Sequence, residues 1–124
     1  MSADEIASMI WFIIATLIFV TGSAIIDAKQ ILKNEHIIDH RPRWVVRFLF
    51  FFLIGFVSEE WINTLASALL FTALFDQTLN YHIKEPMWFL GGTAYWDRFW
   101  KKRVTLYKVM KITILIIALS LYFI

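Results

Sequence analysis

No cysteine occurs in the chain, which excludes a disulfide framework, a thiolate zinc site and a cysteine nucleophile. Charge is scarce as well. Asp, Glu, Lys and Arg make up only 18% of the residues and nearly cancel, leaving a net charge of +2, so bulk charge gives no argument for nucleic acid. The basic stretch near residue 100 backs onto Trp and Phe, and it is no recognition helix. HExxH, GxxxxGK[ST] and GxGxxG patterns are all missing, and no Ser-His-Asp arrangement can be assembled. Repeats, low-complexity tracts and linkers are absent too.

What is present in abundance is apolar surface. The 124 residues are 60% hydrophobic and include twelve Phe and six Trp, with a mean hydropathy of +0.65. A soluble domain of this size has too little interior to hide that surface, and large exposed apolar patches aggregate. A bilayer removes the difficulty by giving the apolar side chains lipid to face.

The first apolar stretch, Ile6 to Ile26, is uncharged for 21 residues, about the length a helix needs to cross ~30 Å of hydrocarbon. Asp4 and Glu5 precede it, whereas a cleaved signal peptide begins with bases, so a retained span is expected. A polar segment follows to Arg43, with Pro42 breaking or restarting the helix. Two shorter runs, Trp44 to Val57 and Trp61 to Phe75, are separated by Ser58-Glu59-Glu60.

Charge distribution decides how these runs are used. Lys29, Lys33, Arg41, Arg43 and Arg47 in the first loop, and Lys84, Arg98, Lys101, Lys102, Arg103 and Lys108 later, all belong on the cytoplasmic side. They share it only if the intervening chain crosses twice. A turn at Glu59-Glu60 also keeps carboxylates away from mid-bilayer, where each costs about 2.5–3.5 kcal/mol. The expectation is one domain over 1–124. It is an all-α integral membrane four-helix bundle with spans at about 6–26, 43–57, 61–80 and 104–124, and both termini outside. Spans two and three are short and must borrow flanking residues, tilt, or thin the bilayer.

Between spans three and four, Pro86 and Gly91-Gly92 interrupt any helix and Thr93 is a plausible N-cap. Over 94–103, Tyr95, Trp96, Phe99 and Trp100 fall on one helical face and Arg98, Lys101 and Lys102 on the other. This is the pattern of a short interfacial amphipathic helix whose bases meet anionic lipid. Lys108 and Lys111 lie inside the last span and must snorkel or pair with an acid.

Three further groupings invite a functional reading. Glu59, Asn63, Ala66, Ala73, Asp76 and Asn80 share a face of span three, as a polar packing seam or a lined pathway. Ser8, Ala15 and Gly22 recur every seventh residue on span one, a small-residue face suited to packing against the bundle or a second copy. His36, Asp39 and His40, with His82 and Asp76 on the same side, hold metal-ligand residue types. Histidines in a polar juxtamembrane loop are ordinarily just solvated, so no metal, cofactor or catalytic residue is assigned.

The residues Phe75-Asp76, Asn80, Pro86, Phe89-Leu90-Gly91, Thr93-Ala94 and Asp97-Arg98 resemble a pattern in small uncharacterised membrane proteins of bacteria and their phages. The pattern is an FD pair, an Asn four residues after the Asp, a Pro, an aromatic–Gly–x–Thr core, then Asp with a base. It covers about a fifth of the chain. The resemblance implies no activity; it singles out Asp76, Asn80, Gly91, Thr93 and Asp97. The functional expectation is a non-enzymatic assembly, scaffolding or anchoring protein of a bacterial inner membrane. Its partners would be lipid, anionic lipid included, and either another membrane protein or a second copy. The rival readings are a small holin-like permeabiliser and a membrane-embedded metal-dependent enzyme.

Overall fold

The computed structural model describes residues 1–32, 40–89 and 99–124, with only the backbone at 30–32 and 40–44. The described residues contain no strand. Among them four long helices follow one another: α1 (Ala3–Leu32), α2 (His40–Ser58), α3 (Trp61–His82) and α4 (Val104–Leu121). Two of them, α1 over Ala3–Lys29 and α4, are long and apolar enough to cross a membrane, whereas the apolar part of α2 is confined to Val45–Ser58.

Each boundary has a local cause. Ser2 starts α1 by accepting a hydrogen bond from the Glu5 backbone N–H, and acidic Asp4 and Glu5 suit the positive end of the helix. The helix continues six residues beyond Ile26, so Asp27 lies within it instead of ending it. Pro42 sits in the first turn of α2, where its missing N–H costs nothing because those donors lack intrahelical acceptors. Between α2 and α3 only Glu59 and Glu60 intervene. Glu59 takes a left-handed conformation (φ 59°) that ends α2, and its N–H donates to Gly55 O at 2.9 Å. Glu59 therefore belongs to the turn and not to the face of α3 that holds Asn63, Ala66, Ala73, Asp76 and Asn80.

At the turn the Trp61 indole packs against Gly55, flanked by Phe56 and Phe52 with ring centroids at 5.1 and 6.2 Å. A Cβ on Gly55 would overlap that ring. Gly55→Leu should consequently push Trp61 away and cost about 1–3 kcal/mol, the usual penalty for overpacking. Thermal unfolding of the variant in detergent, with Trp emission as a second readout, checks this; an unshifted midpoint would show that the contact is dispensable.

α3 is the hub. It packs against α1, α2 and α4, while α1 and α2 meet through side chains, Phe19 against Phe50 and Phe51 and Asp27 against Arg47. α3 runs parallel to α1 and antiparallel to α2 and α4, as their paired residues require: Ser8 meets Glu60 and Asp27 meets Arg47, while Tyr122 meets Ser67 and Lys111 meets Asp76. Its buried residues lie on all sides, and many are small or polar: Thr64, Ala66, Ser67, Ala73 and Asn80 among larger Leu70, Phe71, Phe75 and Leu79. Small residues let three neighbours come near at once.

One core cluster joins Val20, Ala24 and Ala28 of α1 to Phe51 of α2 and Phe71, Phe75 and Leu79 of α3. Another joins Met9, Ala66, Leu70, Ala118 and Tyr122. The α1 face turned to α3 is thus Met9, Thr16, Val20, Ala24, Asp27 and Ala28. The seam expected at Ser8, Ala15 and Gly22 is displaced. Ala15 and Gly22 are exposed, and nothing lies within 4 Å of a Cβ built on Gly22. Ser8 alone of the three makes an interhelical bond, through its hydroxyl to the Glu60 carboxylate at 2.7 Å.

Candidate functional site

The interior holds the charged groups. Asp27 is 2% exposed, Arg47 6% and Lys111 6%, each on a different helix. Arg47 was expected in a basic loop; instead it lies inside α2 and turns to the core, its Nη2 donating to Asp27 Oδ2 at 3.2 Å. The guanidinium also lies over the rings of Phe75 (4.3 Å to the centroid) and Phe71 (5.2 Å). Those rings are themselves stacked at 5.2 Å and pin the cation in place.

The second charge pair binds α4 to α3. Lys111 Nζ is 3.0 Å from Asp76 Oδ2 and donates to the Thr72 carbonyl at 2.6 Å. Tyr107, one turn earlier on α4, donates its hydroxyl to the same Asp76 oxygen at 3.3 Å and accepts from Gln77 Nε2 at 3.2 Å. Asp76 is the exposed member of this group, with 47% of its side chain accessible. Both cations address the same stretch of α3, residues 71–76, from neighbouring faces of the helix.

Asn80, one turn further on, is buried and does different work. Its Nδ2 donates to the carbonyls of Met87 and Phe89, both at 2.9 Å, and so holds the chain leaving α3 against the helix end. Asn63 is half-buried at the other end of α3, far from this cluster. The polar face read from the sequence therefore divides into a charge clamp at Asp76, a loop anchor at Asn80, and a turn at Glu59 and Glu60.

Of the expected interfacial anchor, Tyr95, Trp96 and Arg98 lie outside the described residues, as do Gly91, Thr93 and Asp97 of the resemblance. Phe99 and Trp100 are helical and half-buried, while Lys101, Lys102 and Arg103 are exposed. Trp100 and Trp88 both contact Tyr107, at 5.7 and 6.2 Å, and Lys108 points over the Trp88 ring at 5.8 Å. Of the metal-ligand candidates, His36, Asp39 and the His40 side chain lie outside the described residues, and His82 packs against Tyr81. Among the described residues no three His, Asp or Glu side chains converge as a metal would need.

Asp27, Arg47 and Tyr107 are the members of the site that pattern reading did not single out. A signal for the first two existed: lone opposite charges on consecutive apolar helices, each a few residues from the connecting loop. An ionisable residue in such a setting calls for a partner of opposite sign. Chemically, both pairs are clamps. Each acid is committed to a cation, and no nucleophile with an aligned base stands among the described residues.

Compared with protein-family models, with curated proteins and with solved structures, the chain matches none.

Proposed function

We propose that the protein is an integral membrane four-helix protein that acts without catalysis, as an assembly, scaffolding or anchoring component. One observation carries this reading: the molecule is inside out. Trp11, Ile18, Val46, Leu49, Phe52, Phe56, Val57, Val109 and Ile116 point away from the core, while Asp27, Arg47, Asn80 and Lys111 are buried in it. In water that surface would aggregate. In hydrocarbon it is the stable arrangement, because unpaired charge is expensive there and apolar side chains are not.

The ends of the helices support a four-span topology. The end that carries the α2–α3 turn has Asp4, Glu5, Glu59 and Glu60, and no lysine or arginine nearby. The opposite end carries exposed Lys29, Lys84, Lys101, Lys102 and Arg103. Positive residues favour the cytoplasmic side, and there they meet anionic lipid. α2 has only a short apolar run, yet it still crosses in this reading because Arg47 faces inward to Asp27. A bacterial inner membrane is the setting we assign.

The same architecture speaks against a pore formed by one copy. A pore needs a lumen, and the axis of this bundle is α3, packed with Phe71 and Phe75. Reporter fusions placed after residues 35, 60, 95 and 124 should read inside, outside, inside, outside; an inside reading at 60 removes the double crossing. Induction should leave the cells impermeable to a small dye, and leakage would favour the permeabiliser instead.

A further inference from the structure

The two cations of the interior are paired, Arg47 with Asp27 and Lys111 with Asp76. The cations around the start of α4 are not. Among the described residues no carboxylate lies within ion-pair distance of Lys101, Lys102, Arg103 or Lys108. Lys101, Lys102 and Arg103 are exposed. Arg103 folds back on Phe99, its guanidinium 4.2 Å from the ring centroid and its Nη1 donating to the Phe99 carbonyl at 3.2 Å. Lys108 is half-buried and rests over the Trp88 ring. Tyr107 fixes this rim: it is 2% exposed, Trp88 and Trp100 both pack on its ring, and its hydroxyl donates to Asp76. The bases are therefore set among aromatic rings from two separate stretches of chain, the one leaving α3 and the one entering α4. The sequence pattern places an anchor in 94–103 alone; the structure adds Trp88 and Lys108 to it.

We propose that this rim is a binding site for the head group of one anionic phospholipid of the leaflet at the basic end, with Lys108 and the Lys101–Arg103 bases facing its phosphate. The inference rests on the membrane reading above and sharpens it, from a diffuse attraction of bases to a defined seat. Charge selects an anion, because four unpaired cations gather where the carboxylate across the helix contact, Asp76, is already committed to Lys111. Depth selects a lipid. Lys108 stands four residues inside α4, about 6 Å along its axis, below the level that a soluble acidic partner reaches. Past the bases the surface of α4 turns apolar, with Val104, Leu106 and Val109 exposed. A free phosphate would satisfy the bases alone, whereas an amphiphile meets the bases with its head and the apolar side chains with its tail. Trp88 and Trp100 sit where indoles are favoured, at the head-group level.

The test uses the full chain in nanodiscs of equal phosphatidylethanolamine and phosphatidylglycerol with the same acyl chains, and native mass spectrometry counts the lipids that stay bound on release. The native chain should retain phosphatidylglycerol in preference. Lys108→Gln should weaken that retention about fivefold, the effect of removing one base from an anionic head group, and the double variant Lys101→Gln with Lys102→Gln by about tenfold or more. Lys29→Gln, at the same end but on α1, should leave it unchanged. If the Lys108 variant misfolds, the exposed Lys101 and Lys102 decide. Equal retention of the two lipids would overturn the proposal. So would a loss in Lys29→Gln as large as in Lys108→Gln, which would reduce the effect to diffuse charge. Soluble glycerol phosphate that raises the unfolding midpoint in detergent as much as phosphatidylglycerol would make the ligand a free phosphate and overturn it too. Failure to enter the nanodisc would overturn the membrane reading and this proposal with it; entry without a lipid preference overturns this proposal alone.

Discussion

Arg47→Met is expected to destabilise the protein by about 3–5 kcal/mol, the range found when one partner is removed from a buried ion pair. The substitution takes the guanidinium from beside Asp27, which is 2% exposed. It also removes a cation from the faces of Phe71 and Phe75. The double variant Asp27→Leu with Arg47→Met should recover most of the loss, because replacing both partners by apolar groups is often neutral or stabilising. Unfolding midpoints in a mild detergent give the comparison. A double variant no more stable than Arg47→Met alone would mean that the loss arises from packing around Arg47 and not from the charge.

Asp76→Leu carries the second large effect. It removes the anion facing Lys111, whose ammonium is buried and keeps only the Thr72 carbonyl as a described acceptor. The hydrogen bond from the Tyr107 hydroxyl to Asp76 is lost at the same time. The carboxylate is half-exposed, so the cost should fall between the ~0–1 kcal/mol of a surface pair and the ~3–5 of a buried one, at about 2–3 kcal/mol. Asp76→Asn should be milder, since an amide oxygen still accepts from both donors. Because the pair joins α4 to α3 alone, a crosslink from the end of α4 to α3, for example between cysteines placed at residues 67 and 122, should form more slowly in Asp76→Leu. Unaltered stability and crosslinking would show that α4 is held by Ala66, Leu70 and Ala118 without help from the charges.

The two clamps were legible to different degrees. Lys111 stands inside a long apolar run, where a charge announces that it needs a partner, and Asp76, just past the apolar run of the expected span 61–80, is a candidate at similar depth. Asp27 and Arg47 stand near the ends of theirs. A window of hydropathy reads such charges as the start of a loop, because it averages along the chain and carries no record of where a helix continues. α1 in fact runs to Leu32, and Pro42 lies in the first turn of α2, so both charges are lifted into helical structure. The small-residue seam on α1 failed for a related reason. A period of seven names several faces equally well on a helix that is apolar all round, and Thr16, Ala24 and Ala28 proved to be the face that α3 uses.

The sequence by itself determined the class of element and the composition of the surface. Long uncharged runs of Ile, Leu and Phe make helices, two adjacent glutamates mark a turn, and bases gather at one end and acids at the other. These are properties of local stretches, and local physics reads them. Only the tertiary structure decided that α3 is the hub, that Arg47 faces Asp27, and that Phe19 of α1 stacks on Phe50 of α2. The reason is rotational. A helix apolar on every side has no preferred face until neighbours supply one, and those faces are chosen by contacts between Ala24 and Phe75 or Ala66 and Ala118, far apart along the chain.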